Sequence, residues 1–346
     1  MILPFVIFAC LIIIVLLGTL FWLYPGSQKI TTVPGLEPSS ESDGNIPDIQ
    51  NAGSMTEFLD KLHKEFGPIA SFWIEKEFIV SIASPELFKE VSHIFDRPVS
   101  LYKSYEPLLG LQSIQYKNGP DGQQLRKLHD RSYTQAKVVS QMAVLQEVVE
   151  ELLKKWNKMA ATQEHVPLGL HMSAVVMKSL TRFAFGEYFK DEKALIAFRK
   201  DYDFCFWAME NTLVEGPMKP GSDREKKFKE GIQRLKGITH EIIQRRKQEE
   251  ISPDDRIFID VLMENYTDED MIFDDIITYL IGGSHTTSFF MTWALYFLAT
   301  HEDMQDKLYA EVTKYYKGGP ITWDMIKNMA YVASFSLSVF DLVNRY

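Results

Sequence analysis

The chain has 346 residues, 46% of them hydrophobic and 24% charged, which is enough to bury one large core or two ordinary ones. Its net charge is −10 and no basic block exceeds a few residues, which argues against a nucleic-acid partner, because phosphate backbones demand concentrated Lys and Arg. The two cysteines, Cys10 and Cys205, form neither a disulfide framework nor a CxxC metal motif, and such sparse usage fits a fold facing the reducing cytosol.

From Ile2 to Tyr24 there are 23 residues without a charge, dominated by Ile, Leu, Val and Phe. As a helix this run would span about 34 Å, enough for a bilayer core, with Trp22 and Tyr24 suited to the interface. A cleaved signal peptide is the alternative, but the basic n-region is missing and no small-residue cleavage pattern follows. The expectation is therefore one transmembrane anchor over 1–24. Residues 25–53, rich in Pro, Gly, Ser and Asp, then read as a linker, and 54–346 as a globular domain.

Within that domain, Phe58, Leu59, Leu62 and Phe66 share one face of a helix over 55–66, which Gly67-Pro68 stops. Residues 69–74 and 78–82 predict two short strands joined as a hairpin, and Ser84-Pro85-Glu86 opens a helix with serine as N-cap and proline at N1. From Leu125 onward helices dominate. Leu145, Val148, Val149, Leu152, Leu153 and Trp156 form a 3.6-period stripe, and further helices are expected over 168–185, 191–213, 224–248 and 255–265. The run Gln244–Lys247 reads as a solvated helix end. A capping box at Thr267–Asp270 starts an apolar helix over 268–300. The next helix should bury Met304, Leu308, Tyr309 and Val312, and Thr322 caps a short one beginning Trp323-Asp324-Met325. Strands are otherwise scarce, so the fold is mainly α.

The apolar helix carries Gly282-Gly283-Ser284-His285-Thr286-Thr287. Two glycines in a helix interior are unfavourable by roughly 0.5–1 kcal/mol each relative to alanine. They let something large approach the backbone, either a flat bound group or a neighbouring helix. Thr286 and Thr287 can donate to the carbonyl four residues back and loosen the helix locally. The segment lacks the last glycine of a G-x-S-x-G elbow and the GK[ST] ending of a phosphate loop. No HExxH occurs, and the eight histidines are scattered, so a metal hydrolase has little support.

Taken in order, the apolar N-terminus, the proline-containing hinge, FGPIASFWI, SPELFKEV, DGQQLRKLHDR, GGSHTT, WALYFLATHEDMQDKLYAEV and GPITWDMIKNMAYV resemble the microsomal cytochrome P450 superfamily. Within it they are closest to family 20, whose members have no well-defined substrate. The resemblance implies a mainly helical fold with a small β region. It implies a haem (heme) cofactor, electrons from NADPH through cytochrome P450 reductase, an apolar small-molecule substrate, and a single-pass location in the endoplasmic reticulum membrane with the globular part cytoplasmic.

Gly282 and Gly283 match the small residues that leave room above a haem, Thr286 matches the threonine that helps deliver protons to iron-bound dioxygen, and Thr287 matches its neighbour. His285 stands where the family has Asp or Glu, and a histidine can still relay protons. The family's Trp-x-x-x-Arg falls on Leu125 to His129, so both usual residues are replaced, with Arg126 or His129 left to meet a propionate. The family's Glu-x-x-Arg pair falls on Ser338 and Asp341, and no proximal cysteine loop follows. The resemblance is thus to a C-terminally truncated monooxygenase, inactive as written. The rival expectation is a non-catalytic, membrane-associated truncated form or an interaction fragment.

Overall fold

A computed structural model describes residues 11–19, 32–94, 96–98, 102–103, 105–212, 216–252 and 255–343, with side chains to 340. Two units divide the chain, residues 1–95 and 96–346.

In the first unit, α1 (Ile46–Ala52) and α2 (Met55–Phe66) precede the strands β1 (Ile69–Ile74) and β2 (Glu77–Ile82), and α3 (Pro85–Val91) follows them. The hairpin is antiparallel, with Ile69 opposite Ile82 and Ile74 opposite Glu77. Ser54 caps α2 by accepting from Glu57 N, and Ser84 caps α3 in the same way from Leu87 N. The apolar face of α2 packs on β1, where Phe58 meets Phe72 edge-on at 5.1 Å beside Leu62 and Ala70. Residues 34–45 run along the other edge of β1. Ser71 donates to Pro34 O and accepts from Leu36 N, and the Asn45 carboxamide accepts from Trp73 N at 2.8 Å.

Helices form nearly all of the second unit. Besides short helices at Glu106–Leu109 and Gln135–Ser140, they are α4 (Gly119–Asp130), α5 (Met142–Ala161), α6 (Leu168–Phe185), α7 (Glu192–Glu210), α8 (Asp223–Arg246), α9 (Phe258–Asn265), α10 (Glu269–Thr300), α11 (Glu302–Tyr315), α12 (Trp323–Lys327) and α13 (Ala330–Val343). Asp268 caps α10 by accepting from Asp270 N. The N-terminal half of α10 is the centre of the core. Ile276, Ile277 and Leu280 are fully buried with Phe185, Phe198, Leu235 and Ile243 from α6, α7 and α8. Burying each such side chain stabilises the fold by about 1.5–3 kcal/mol.

Several expectations need correction. Among the described residues no helix is long and apolar enough to cross a membrane. That overturns the anchor over 1–24, and with it the membrane as a partner and the single-pass location. In the described part of that stretch, residues 11–19 are helical. Residues 1–10 and 20–31, with Cys10, Trp22 and Tyr24, lie outside the described residues. The stripe on α5 is only partly covered, with Val148 buried, Leu145, Leu152 and Trp156 half-buried, and Val149 and Leu153 exposed. Nothing on α11 is buried, and Tyr309 is 69% exposed. Periodicity gives each helix an apolar face, but here too few neighbours stand opposite to cover it.

Candidate functional site

Halfway along α10 the two glycines separate in role. A Cβ on Gly283 would lie 3.0 Å from Leu180 Cδ1 and Cδ2, so this glycine lets α10 approach α6. A Cβ on Gly282 would meet nothing within 4 Å. Gly282, Thr286, Phe289, Trp293 and Tyr296, spaced four and three apart, lie on one face of the helix, and all five are exposed. The Thr286 hydroxyl donates to the Gly282 carbonyl at 2.8 Å, as Ser and Thr do in helices when no other acceptor is offered. Thr287 is exposed beside this face. The face is open, flat at Gly282, polar at Thr286 and aromatic beyond.

His285 turns away from that face toward α7. Its ring stacks on Phe206 with centroids 3.8 Å apart, with Tyr202 and Trp207 near 6 Å (5.8 and 5.7 Å). Nε2 is buried without a partner. Burial holds the imidazole below its ordinary pKa, against the opposing pull of Asp203 and Glu210. His285 is therefore neutral at pH 7 and packs as an aromatic ring.

The two α4 candidates also part company. Arg126 is exposed and has no hydrogen-bond or ion-pair partner among the described residues. His129 is buried, and its Nε2 donates to Asp275 Oδ2 at 3.0 Å. Asp275, 1% exposed, also accepts from the Tyr266 hydroxyl at 2.6 Å and from Ile114 N at 2.8 Å. Burial and the bond to Asp275 push the Tyr266 hydroxyl far above its usual pKa. His129 thus serves as a strut between α4 and α10.

Asp274 and Asp275 are the residues that sequence reasoning missed. Two adjacent carboxylates in an otherwise apolar helix are a signal, because a buried charge must be paired or neutralised. Asp274 takes the second course. Its carboxyl lies against Gly110, where an added Cβ would come within 1.9 Å of Oδ2 and the backbone holds φ at +67°. Burial pushes its pKa up to about 7, against the pull of Lys236.

A flat group such as haem needs space at the backbone and a polar group beside it; Gly282 leaves such space and Thr286 presents a hydroxyl on the same face, while Arg126, on α4, is a cation without a partner among the described residues. These residues do not supply a thiolate. Cys205 is fully buried in α7, its Sγ donates to Phe228 O at 3.7 Å, and burial pushes the thiol up to about 12. Among the described residues no group of three or more His, Cys, Asp or Glu is placed to hold a metal ion. Ser338, at the position of the family's ion-pair glutamate, is exposed and donates to Ser334 O in its own helix. The side chain of Asp341 lies outside those described.

Comparison with known proteins identifies the family. The family model Cytochrome P450 matches residues 34–335. The chain is 32% identical over 333 residues to Cytochrome P450 20A1 of Homo sapiens, covering 95% of this chain and 70% of that protein. It is 33% identical over 332 residues to the protein of the same name from Bos taurus, with the same coverage. A more distant relative is Cytochrome P450 CYP72A219 of Panax ginseng, 20% identical over 308 residues, covering 82% of this chain and 58% of that one. The match extends over nearly all of this chain and stops well short of the relatives' full length. The chain belongs to the cytochrome P450 family, close to its family 20.

Proposed function

We propose that these 346 residues form the distal side of a haem-thiolate monooxygenase site, and that they do not complete the reaction by themselves. The observation that carries the reading is the open face at Gly282, with the Thr286 hydroxyl one turn further on. When bound, haem with a cysteine thiolate on its iron supplies dioxygen activation and favours O–O cleavage. The part of this chain's residues is more limited. Gly282 admits the flat group to the backbone, and Thr286 holds a proton at Oγ1 on the same face, released from the Gly282 carbonyl by a simple rotamer change. Thr287 borders that face. Phe289, Trp293 and Tyr296 offer an apolar surface against which water is excluded and an apolar organic substrate can be oriented. Arg126 is the cation available to a propionate. The electron supply is NADPH through a reductase, as the family resemblance implies.

Incompleteness follows from the one described thiol. Cys205 is sealed in the α7–α8 contact and stays protonated, so it cannot serve as the iron's ligand. No step through the metal is assigned to this chain. Exposed apolar side chains on α10 and α13, among them Phe289, Leu337 and Phe340, favour its second reading, a non-catalytic product that associates through this surface.

Titration of the full chain with hemin, followed by absorbance, tests the distal reading. Gly282→Phe places a ring on the open face, where the first side-chain carbon meets nothing within 4 Å. Wild type should bind hemin about ten-fold more tightly than the variant. Equal affinity for the two proteins, or no saturable binding to wild type, would remove Gly282 from the site.

A further inference from the structure

Residues 105–118 lie against the N-terminal half of α10 as a strap held at both ends. At one end the Tyr105 hydroxyl donates to Glu210 of α7. At the other, the Asn118 carboxamide donates to Arg97 O at 2.7 Å and accepts from Arg97 N at 2.9 Å. Between them the short helix Glu106–Leu109 buries Leu108 and Leu109 in the main core. The turn that follows rests on two adjacent carboxyl groups of α10. Asp275 accepts from Ile114 N at 2.8 Å, and the Gln112 N–H reaches Asp274. Gly110, with φ at +67°, lies so close to the Asp274 carboxyl that no side chain would fit between them.

The two carboxyls differ in what else surrounds them. Asp275 has His129 of α4 and the Tyr266 hydroxyl beside the strap amide. Asp274 is covered by strap backbone. The cation facing it is Lys236 of α8, which is itself paired with Asp270 at 2.7 Å, and α10 adds Asp270 and Asp275 as two neighbouring acids. On the strap, Lys117 donates to the Gln112 side chain and Glu106 is exposed. Burial, the largest influence, pushes the Asp274 carboxyl up to about 7. An ionised Asp274 under the closed strap would be a buried charge beside two acids, with one amide to solvate it. Lifting the turn off α10 lets water take over that task.

We infer that residues 105–118 form a pH-sensitive strap on α10, closed when Asp274 is protonated and released over 110–114 when Asp274 ionises, with Tyr105 and Asn118 keeping its ends in place. Asp274 regains its ordinary acidity once the strap lifts, so closure is tightest in acid and weakens as pH rises toward 7. The strap needs no haem and is independent of the open face at Gly282.

Hydrogen–deuterium exchange of the full chain between pH 5 and pH 8, corrected for the intrinsic pH dependence of exchange, tests this. Protection of the amides over 110–116 should fall about ten-fold or more across that range, while peptides around Leu235 and Ile243 of α8 keep theirs. Asp274→Asn keeps the shape without the titration and should leave the strap protected at both ends of the range. Lys236→Gln removes the opposing cation and should move the loss of protection to higher pH. Strap protection that does not change with pH, the same fall in Asp274→Asn as in wild type, or an unmoved transition in Lys236→Gln would each overturn the inference. So would loss of protection in α8 in step with the strap, because the fold would then be opening as a whole.

Discussion

Gly282 and Gly283 are neighbours in α10, yet alanine should act on them in opposite directions. Each substitution gains about 1 kcal/mol of helix propensity. At Gly282 that is the whole effect, since the new methyl meets nothing within 4 Å. At Gly283 the methyl would sit 3.0 Å from both δ carbons of Leu180, inside the roughly 3.5–4.0 Å at which carbon atoms rest. Leu180 is half-buried against the main core, so it must shift or α10 must move away from α6, and overpacking of this kind costs about 1–3 kcal/mol. Gly282→Ala should therefore stabilise by about 1 kcal/mol. Gly283→Ala should come out neutral to about 2 kcal/mol destabilised. In a unit the size of residues 96–346, each kcal/mol is about 2–4 °C in Tm. Urea unfolding of the full chain, followed by far-ultraviolet circular dichroism with the m value checked, measures the difference. Equal stabilisation by both alanines would refute the division of roles. So would a loss at Gly282, because something must then occupy the space that the geometry leaves open.

Further expectations follow from the buried groups. Asp275→Ala leaves His129, Tyr266 and Ile114 N without an acceptor and should lower stability by about 3–5 kcal/mol, whereas Tyr266→Phe removes one donor and should cost about 1–3 kcal/mol, both read by urea unfolding. Asp274 has a folded pKa near 7, raised above an unfolded value of about 3.9, so the folded state holds its proton more tightly. Its contribution is full below pH 4 and is lost as pH rises to 7, so the urea midpoint should fall over that window and Asp274→Asn should flatten the fall. An unchanged slope in the variant would contradict it. Cys205, with its thiol raised to about 12, should resist a thiol reagent in the folded chain and label promptly in denaturant, with peptide mapping to distinguish it from Cys10. Rapid labelling of the folded protein would mean that the α7–α8 contact opens.

Much of the fold was legible because its signals are local. Ser84 and Thr322 cap the helices they were expected to start, and the hairpin pairs residues 69–74 with a strand that begins one residue earlier than predicted, at Glu77. The helix over 168–185 has the expected bounds because Pro167 and Gly186 interrupt the pattern on each side. Burial was less legible. Periodicity shows that Tyr309 and Val149 belong to an apolar face, but whether another element covers that face is a tertiary fact. At the candidate site, spacing placed Gly282 and Thr286 on one turn, which geometry gives to any helix. It did not reveal that His285, one residue away, points into the Phe206 stack, or that His129 is engaged by Asp275 146 residues later. The apolar run over 2–24 shows the limit of composition. Length and hydropathy suffice to suggest a span, and among the described residues no helix is long and apolar enough to make one.

The most direct test of the central claim is the absorption spectrum of the full chain reconstituted with haem, reduced, and exposed to carbon monoxide. The account predicts bound haem without the strongly red-shifted Soret band of a thiolate-ligated iron, because Cys205 is sealed and protonated. A strong thiolate-type band would contradict it. It would show that a cysteine of these 346 residues reaches the iron, and its loss in Cys205→Ser or Cys10→Ser would identify which one.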